Sequence, residues 1–392
     1  MKIAIDCRFI TRKQRGMPVY VFQLASQLPY YLPDHKFILL INTAFEHNEM
    51  PDEYQARLEQ LKQAQNVSLL DIQASDDFSW EQKLLPKYLS EYQIDLLHMP
   101  GNRVCIPTKV RQIATFHDSL EWTELKNIYS FNNVDGWSNK VYLFKVRCYL
   151  RWVYWCGLKK VDHVLTISAS AQADLIHQFP SIKNKISYVH HGVPQDFIAD
   201  DSLDQLNKRK GVLMLGGDSY QKNPVNAIKA WAALPSELKD KHPLTIAGFT
   251  GGESSLIYQT LNELNLLQTV NLTGWITTPE LVRLFQQSAA LLFVSRHEGF
   301  GFPLVQAMAC GTPAIISTHP VLTEIASETA LSSDADDITA ISQQLNRLLS
   351  QAELWQTMHQ TCLKRHKQFS WQHCMTKIAD LYQQQLNQIK DK

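Results

Sequence analysis

Short apolar runs alternate with longer amphipathic stretches along this chain, and the alternation is gone through twice. In the first half the runs are KIAID at 2–6, VYVFQLASQL at 19–28, KFILLIN at 36–42, VSLLDI at 67–72, IDLLHM at 94–99 and QIATFHD at 112–118, strand-like and helical in turn. A polar stretch, DDSLDQLNKRKG at 200–211, has little to bury and reads as a hinge. The pattern then restarts with VLML at 212–215, LTIA at 244–247, VNL at 270–272, LLFV at 291–294 and AIIS at 314–317. Such alternation marks a parallel sheet covered by helices on both faces, so two doubly wound α/β domains are expected. The length of 392 residues fits two domains at about 100–200 residues each. The expected boundaries are 1–200 and 201–375, with a polar amphipathic helix over 376–392 packing back on the first domain.

Helix starts carry their own punctuation in the second half: Asn223 then Pro224, Thr278 then Pro279, and Pro303 heading LVQAMAC, which Gly311 closes. Composition narrows the classes of partner. Lys plus Arg and Asp plus Glu balance at 38 each, so no overall field recruits nucleic acid. The seven cysteines are scattered and never spaced CxxC, against a disulfide framework or a zinc ribbon and in favour of a cytoplasmic setting. The opening MKIAIDCRFI carries Asp6 and Arg8 and reads as a first strand rather than a signal peptide. No uncharged apolar run reaches the roughly 18 residues of a membrane span.

In open parallel sheets, ligands bind beyond the carboxyl ends of the strands, so the loops after 215, 247, 272, 294 and 317 are the ones to read. The first holds Gly216, Gly217 and Lys222 ahead of a helix: close backbone approach, helix amides and a full positive charge suit a diphosphate. A plain turn with an exposed lysine is the alternative. The loop after LLFV carries Glu298, then Gly299 and Gly301 flanking Phe300, then Phe302 and Pro303, which fixes the first turn of a helix. Gln306, one turn inside that helix, can meet vicinal hydroxyls of a ribose. Glu298 as a simple helix-dipole partner is the competing reading. In the first half, QIATF delivers His117 and Asp118 at its carboxyl end, where a histidine can hydrogen-bond a sugar or lie satisfied in the core beside Asp118. The loop from Thr11 to Pro18 places Arg15 and Gly16 before a helix, as a second phosphate wall or as a solvated loop.

Together these residues resemble glycosyltransferase family 4. The family's Glu-Gly-Phe-Gly-Leu-Pro loop, second glutamate and Ala-Met-Ala-Cys-Gly-x-Pro run appear here as EGFGFPLVQAMACGTPAI. Further matching stretches are IDCRFI, FHD near 117, LTISASAQADL at 165–175, YVHHGV at 188–193, QKN at 221–223 and LTGWITTPEL at 272–281. The resemblance implies the GT-B architecture, two Rossmann-like domains facing a central cleft, the first for the acceptor and the second for the donor. It implies a retaining hexosyltransferase that uses a UDP- or GDP-linked sugar, needs no metal and no cofactor, and serves polysaccharide biosynthesis on a saccharide or lipid-linked saccharide acceptor.

By the same resemblance the catalytic set is His117, Lys222 and Glu298. Lys222 neutralises the donor diphosphate, Glu298 holds sugar hydroxyls with backbone help from Phe300, Gly301 and Phe302, and His117 lies beside the transferred sugar. Gly16, Gly216, Gly217, Leu304 and Gln306 complete the donor set, and Gly274 to Ile276 meets the base. Two departures stand out. Gln306 replaces the family's second glutamate, exchanging a charge-assisted hydrogen bond of about 1.5–3 kcal/mol for a neutral one of about 1. Gln221 replaces an arginine that often precedes the lysine, shifting phosphate work to Arg15, Gly16 and helix amides.

With no obvious second nucleophile, retention points to front-face displacement, in which the protein positions groups and stabilises charge. A phosphorylase or a sugar-nucleotide epimerase on the same architecture would also bind phosphates in this cleft, but the sequence has neither a pyridoxal-binding lysine motif nor an epimerase-like acid and base set. A cleft decayed into a nucleotide-binding scaffold is the third rival, and it predicts binding without turnover. Segment 140–160 mixes aromatics with Lys140, Lys145, Arg147, Arg151, Lys159 and Lys160. Leu143, Val146, Leu150 and Val153 keep helical spacing, which favours a core-facing helix with snorkelling flanks. Peripheral contact with the inner face of a membrane is the second reading.

Overall fold

In the computed structural model of the chain, residues 1–11, 16–44, 51–131 and 135–390 are described. They form two compact units, Met1–His191 with Trp371–Lys392, and Gly192–Ser370. In the first unit five of the six apolar runs become strands, the run at 19–28 falls in the helix Met17–Tyr31, and two further strands complete a parallel sheet of seven: β1 Lys2–Asp6, β2 Lys36–Ile41, β3 Val67–Asp71, β4 Leu96–Met99, β5 Arg111–Thr115, β6 His163–Thr166 and β7 Ile186–Tyr188. Their order is β3-β2-β1-β4-β5-β6-β7, with Ile3 of β1 in register with Phe37 on one side and Leu96 on the other. Ile3, Leu39, Leu97 and Ile113 are fully buried because helices cover both faces. Each such side chain contributes about 1.5–3 kcal/mol.

The second unit repeats the plan with β8 Val212–Leu215, β9 Leu244–Ala247, β10 Asn271–Leu272, β11 Ala290–Phe293, β12 Ala314–Ser317 and β13 Ala330–Ser333. The parallel order is β10-β9-β8-β11-β12-β13. In both sheets strand order reverses beside the first strand, between β1 and β4 and between β8 and β11. Loops diverge there and leave a crevice at the carboxyl ends.

Two helix starts differ from the sequence expectation. The helix Thr278–Gln287 is capped by Thr277, not Thr278, in a capping box with Glu280, which puts Thr278 and Pro279 in the first turn. Asn223 precedes the helix Pro224–Ala232 in the left-handed region (φ 56°), and its side chain makes no capping bond. Its amide instead donates to the carbonyls of Val294 (3.0 Å) and Ala335 (2.7 Å), a tertiary role that overrides local capping. The helix Phe302–Ala309 starts at Gly301 (φ 90°) and is closed by Gly311 (φ 68°), both conformations that a side chain would strain.

The last helix, Trp371–Lys390, belongs to the first unit, where Tyr382 is fully buried and Arg111 donates to Gln388. In the helix Trp137–Trp152 and the turn that follows, Leu150 and Val153 face the core. Trp137, Tyr142, Phe144 and Trp155 are 56–82% exposed. No helix among the described residues is long and apolar enough to cross a membrane.

Candidate functional site

In the second unit the loops after β8 and β11, neighbouring strands at the reversal point, are zipped together. The amide of Arg296 donates to the Gln221 carbonyl (2.7 Å), and the Arg296 guanidinium donates to the Tyr220 carbonyl (2.9 Å) while lying 4.2 Å over the Tyr220 ring. Asp336 holds the same guanidinium. Asn223 adds its bond to Val294.

This scaffold brings Lys222 and Glu298 together. Lys222 Nζ donates to Glu298 Oε1 at 2.6 Å and lies 5.7 Å from the Phe293 ring centroid. The lysine side chain is 42% exposed and the glutamate 10%, so the ammonium is open to a ligand while the carboxylate is largely enclosed. Gly217 makes room for the lysine, since a Cβ there would stand 2.9 Å from Lys222 Cγ. Gly216 has a different cause: its Cβ would stand 2.8 Å from the Phe249 amide nitrogen in the loop after β9. One glycine admits a side chain and the other admits backbone.

The remaining residues expected at a donor site divide by depth. Phe300 is buried, packed edge-on against Phe302 (5.3 Å) and Phe369 (5.9 Å), and Leu304 is fully buried. The amide of Leu304 donates to the Gly301 carbonyl, so this residue builds the helix start. Gln306 is half-buried on the helix Phe302–Ala309. That helix begins at the end of the loop that carries Glu298, so its positive end belongs to the same loop. Ile276 is half-buried on the loop after β10, two strands from β8.

In the first unit, Gly16 caps the helix Met17–Tyr31 with φ 61°, and a Cβ there would meet nothing within 4 Å. Arg15 lies outside the described residues. His117 follows β5 and is buried. Its Nε2 donates to the Pro100 carbonyl (2.9 Å), and its backbone amide donates to Asn102 Oδ1 (2.7 Å). Asp118 accepts from the Leu120 amide. Burial pushes the His117 imidazole down to about 4, against a smaller upward effect of the Pro100 bond. It is therefore neutral near pH 7 with its proton on Nε2, leaving Nδ1 as an acceptor. The loop after β1 is anchored by Arg8, bonded to Asp6, Asp77 and Glu81 (2.8 Å each) and lying 3.7 Å over Trp80.

The residues that sequence reasoning missed are supports. Arg296 couples the loops after β8 and β11, and Asp336 holds its guanidinium. Around His117 stand Tyr20, Thr115, His98 and His191, all buried. A histidine inside the apolar run IDLLHM was the available signal, because a buried strand imidazole needs a partner.

Two parallel doubly wound sheets of this order are the GT-B architecture. The Anabaena HepE protein, solved in complex with UDP and glucose, superposes with a TM-score of 0.70 at 15% identity, covering 98% of this chain and all of that one. Two family models match in succession, Glycosyltransferase Family 4 over residues 15–197 and Glycosyl transferases group 1 over 198–365. The chain belongs to this family of glycosyltransferases. Curated relatives include O-antigen chain mannosyltransferase B of Escherichia coli, 25% identical over 58% of this chain and 61% of that protein. Another is O-antigen chain mannosyltransferase RfbU of Salmonella typhimurium, 27% identical over 59% of each. The matched stretches thus span about three-fifths of the length of these relatives.

Proposed function

We propose that the chain is a retaining hexosyltransferase that moves a sugar from a UDP- or GDP-hexose to a saccharide or lipid-linked saccharide acceptor during polysaccharide assembly. The carrying observation is the Lys222–Glu298 pair at the reversal point of the second sheet, a cation beside a sugar-sized hydrogen-bond acceptor. The relatives' names put mannose first among the hexoses to test.

In this reading the unit Gly192–Ser370 binds the donor. Lys222 and the helix end at Gly301 supply the counter-charge for the diphosphate, so no metal is required. Glu298 accepts from sugar hydroxyls, and His117 Nδ1 accepts from another. The acceptor hydroxyl attacks the anomeric carbon from the side of the departing nucleotide. The bond from that carbon to the phosphate oxygen breaks, and the hydroxyl proton passes to a phosphate oxygen. The exposed aromatics between Trp137 and Trp155, with the exposed Lys140 and Lys145 among them and Lys159 just beyond, support peripheral contact with an anionic membrane surface on the cytoplasmic side.

The test is a panel of UDP- and GDP-hexoses, with α-linked sugars throughout and EDTA present, offered with oligosaccharide acceptors. Free nucleotide is quantified and the product's anomeric proton coupling is read by NMR. An α-linked product supports the reading. A β-linked product, or turnover that appears only when a divalent ion is restored, rejects retention or metal independence respectively. Nucleotide binding with no transfer to any acceptor favours the scaffold.

A further inference from the structure

His117 stands at the end of a buried chain of polar groups that no donor contact requires. The Tyr20 hydroxyl lies 3.0 Å from Thr115 Oγ1. The same Oγ1 lies 2.7 Å from His98 Nε2, and His98 Nδ1 lies 2.5 Å from the Tyr382 hydroxyl. Tyr20, Thr115, His98 and Tyr382 are at most 1% exposed, so none exchanges its partner for bulk water. The Tyr20 ring meets the His117 imidazole edge-on, 5.4 Å between centroids at 83°, and it also lies 4.5 Å from the His191 ring. His191 in turn stands 5.6 Å from Trp371. His191 ends the first segment of this unit and Trp371 begins its returning segment.

We propose that Tyr20 is a positioning residue for His117, its ring holding the imidazole plane and its hydroxyl tied through Thr115 and His98 to Tyr382 of the last helix. The proposal rests on the reading of His117 as a sugar-contacting group. Pro100 fixes one ring nitrogen but leaves rotation about that bond open, and the perpendicular Tyr20 ring closes it. The phenol cannot set the angle unless its own hydroxyl is held, which is what Thr115 provides. His98 must stay neutral for the chain to persist, with one nitrogen donating and the other accepting. Burial, aided by His117, keeps it so by lowering its pKa to about 3. The last helix of the sequence is thereby linked to Tyr20 twice, from Tyr382 through His98 and Thr115 and from Trp371 through His191.

The experiment uses the full chain and four variants, Tyr20→Phe, Thr115→Val, Thr115→Ser and Tyr382→Phe. Turnover at saturating donor is compared with nucleotide affinity by calorimetry, and the imidazole resonances of His117 and His98 are followed by NMR. Tyr20→Phe and Thr115→Val are each expected to lower turnover about fivefold, the worth of one neutral hydrogen bond. Nucleotide affinity is unchanged, and the double variant falls no further. Thr115→Ser, which keeps the hydroxyl, retains wild-type turnover. The His117 resonances shift in Tyr20→Phe, and those of His98 shift in Tyr382→Phe. Wild-type turnover with unmoved His117 resonances in Tyr20→Phe overturns the proposal, as does an equal loss of turnover in Thr115→Ser. If Tyr20→Phe does not fold, the Thr115 pair decides. His117→Ala separates the two claims: full activity in that variant rejects the reading of His117, while the resonance shifts still report on whether Tyr20 orients it.

Discussion

Several histidines in this protein are held neutral by burial, and that state has a cost in acid. Burial lowers His98 to about 3 and His117 and His242 to about 4, and it pushes His191 well down. An unfolded chain takes up these protons near pH 6.5, so between about 6.5 and 4 the unfolded state binds more protons than the folded one. Stability from these groups is complete above about pH 6.5 and is lost as pH falls, by up to about 1.4 kcal/mol per pH unit for each. Calorimetric melting between pH 7.5 and 5 should therefore show a flat Tm followed by a steady fall beginning near 6.5. A Tm that rises or stays level to pH 5 would mean that these imidazoles are already charged in the fold. Single residues were partly legible: Lys222, Glu298 and His117 stand where the strand ends put them. The hydrogen bonds of His117 to Pro100 and Asn102 were not, because those partners come from the neighbouring strand's loop.

At the scale of elements, most strands were readable because a strand covered on both faces must be continuously apolar, as KFILLIN and AIIS are. The strands β6, β7 and β13, reading HVLT, ISY and ALSS, went unread. β7 and β13 are sheet edges, where one flank needs no partner and a short, mixed sequence suffices, and β6 lies inside the sheet but is only four residues long and opens on a histidine. The glycines at the site are equally positional, and their replacement separates two costs. Gly301→Ala places a side chain at φ 90° with its Cβ 3.0 Å from Leu322, at the start of the helix Phe302–Ala309. Backbone strain of this kind costs about 1–3 kcal/mol. Gly216→Ala forces its Cβ against the backbone of the loop after β9, an overpacking cost of about 1–3 kcal/mol. Chemical denaturation should show both losses, while Gly252→Ala, whose Cβ meets nothing within 4 Å, should melt like the wild type. Equal stability in all three would contradict the packing described for these turns.

Across the whole molecule, one sheet plan is used twice and put to different uses. In the unit Gly192–Ser370 the reversal between β8 and β11 presents a cation and a carboxylate. In the other unit the chain following β5 presents a neutral imidazole backed by aromatic and hydroxyl groups. The donor assignment depends on Lys222 serving a diphosphate as well as Glu298, and titration calorimetry with UDP, GDP and ADP in the absence of divalent metal tests this most directly. Selective binding of one nucleotide is expected, weakened about 10- to 100-fold by Lys222→Ala through loss of a charge-assisted contact of about 1.5–3 kcal/mol. Glu298→Gln should bind the bare nucleotide at least as well as the wild type, because the lysine no longer shares its charge. Unchanged affinity in Lys222→Ala, or no binding by any of the three nucleotides, would contradict it.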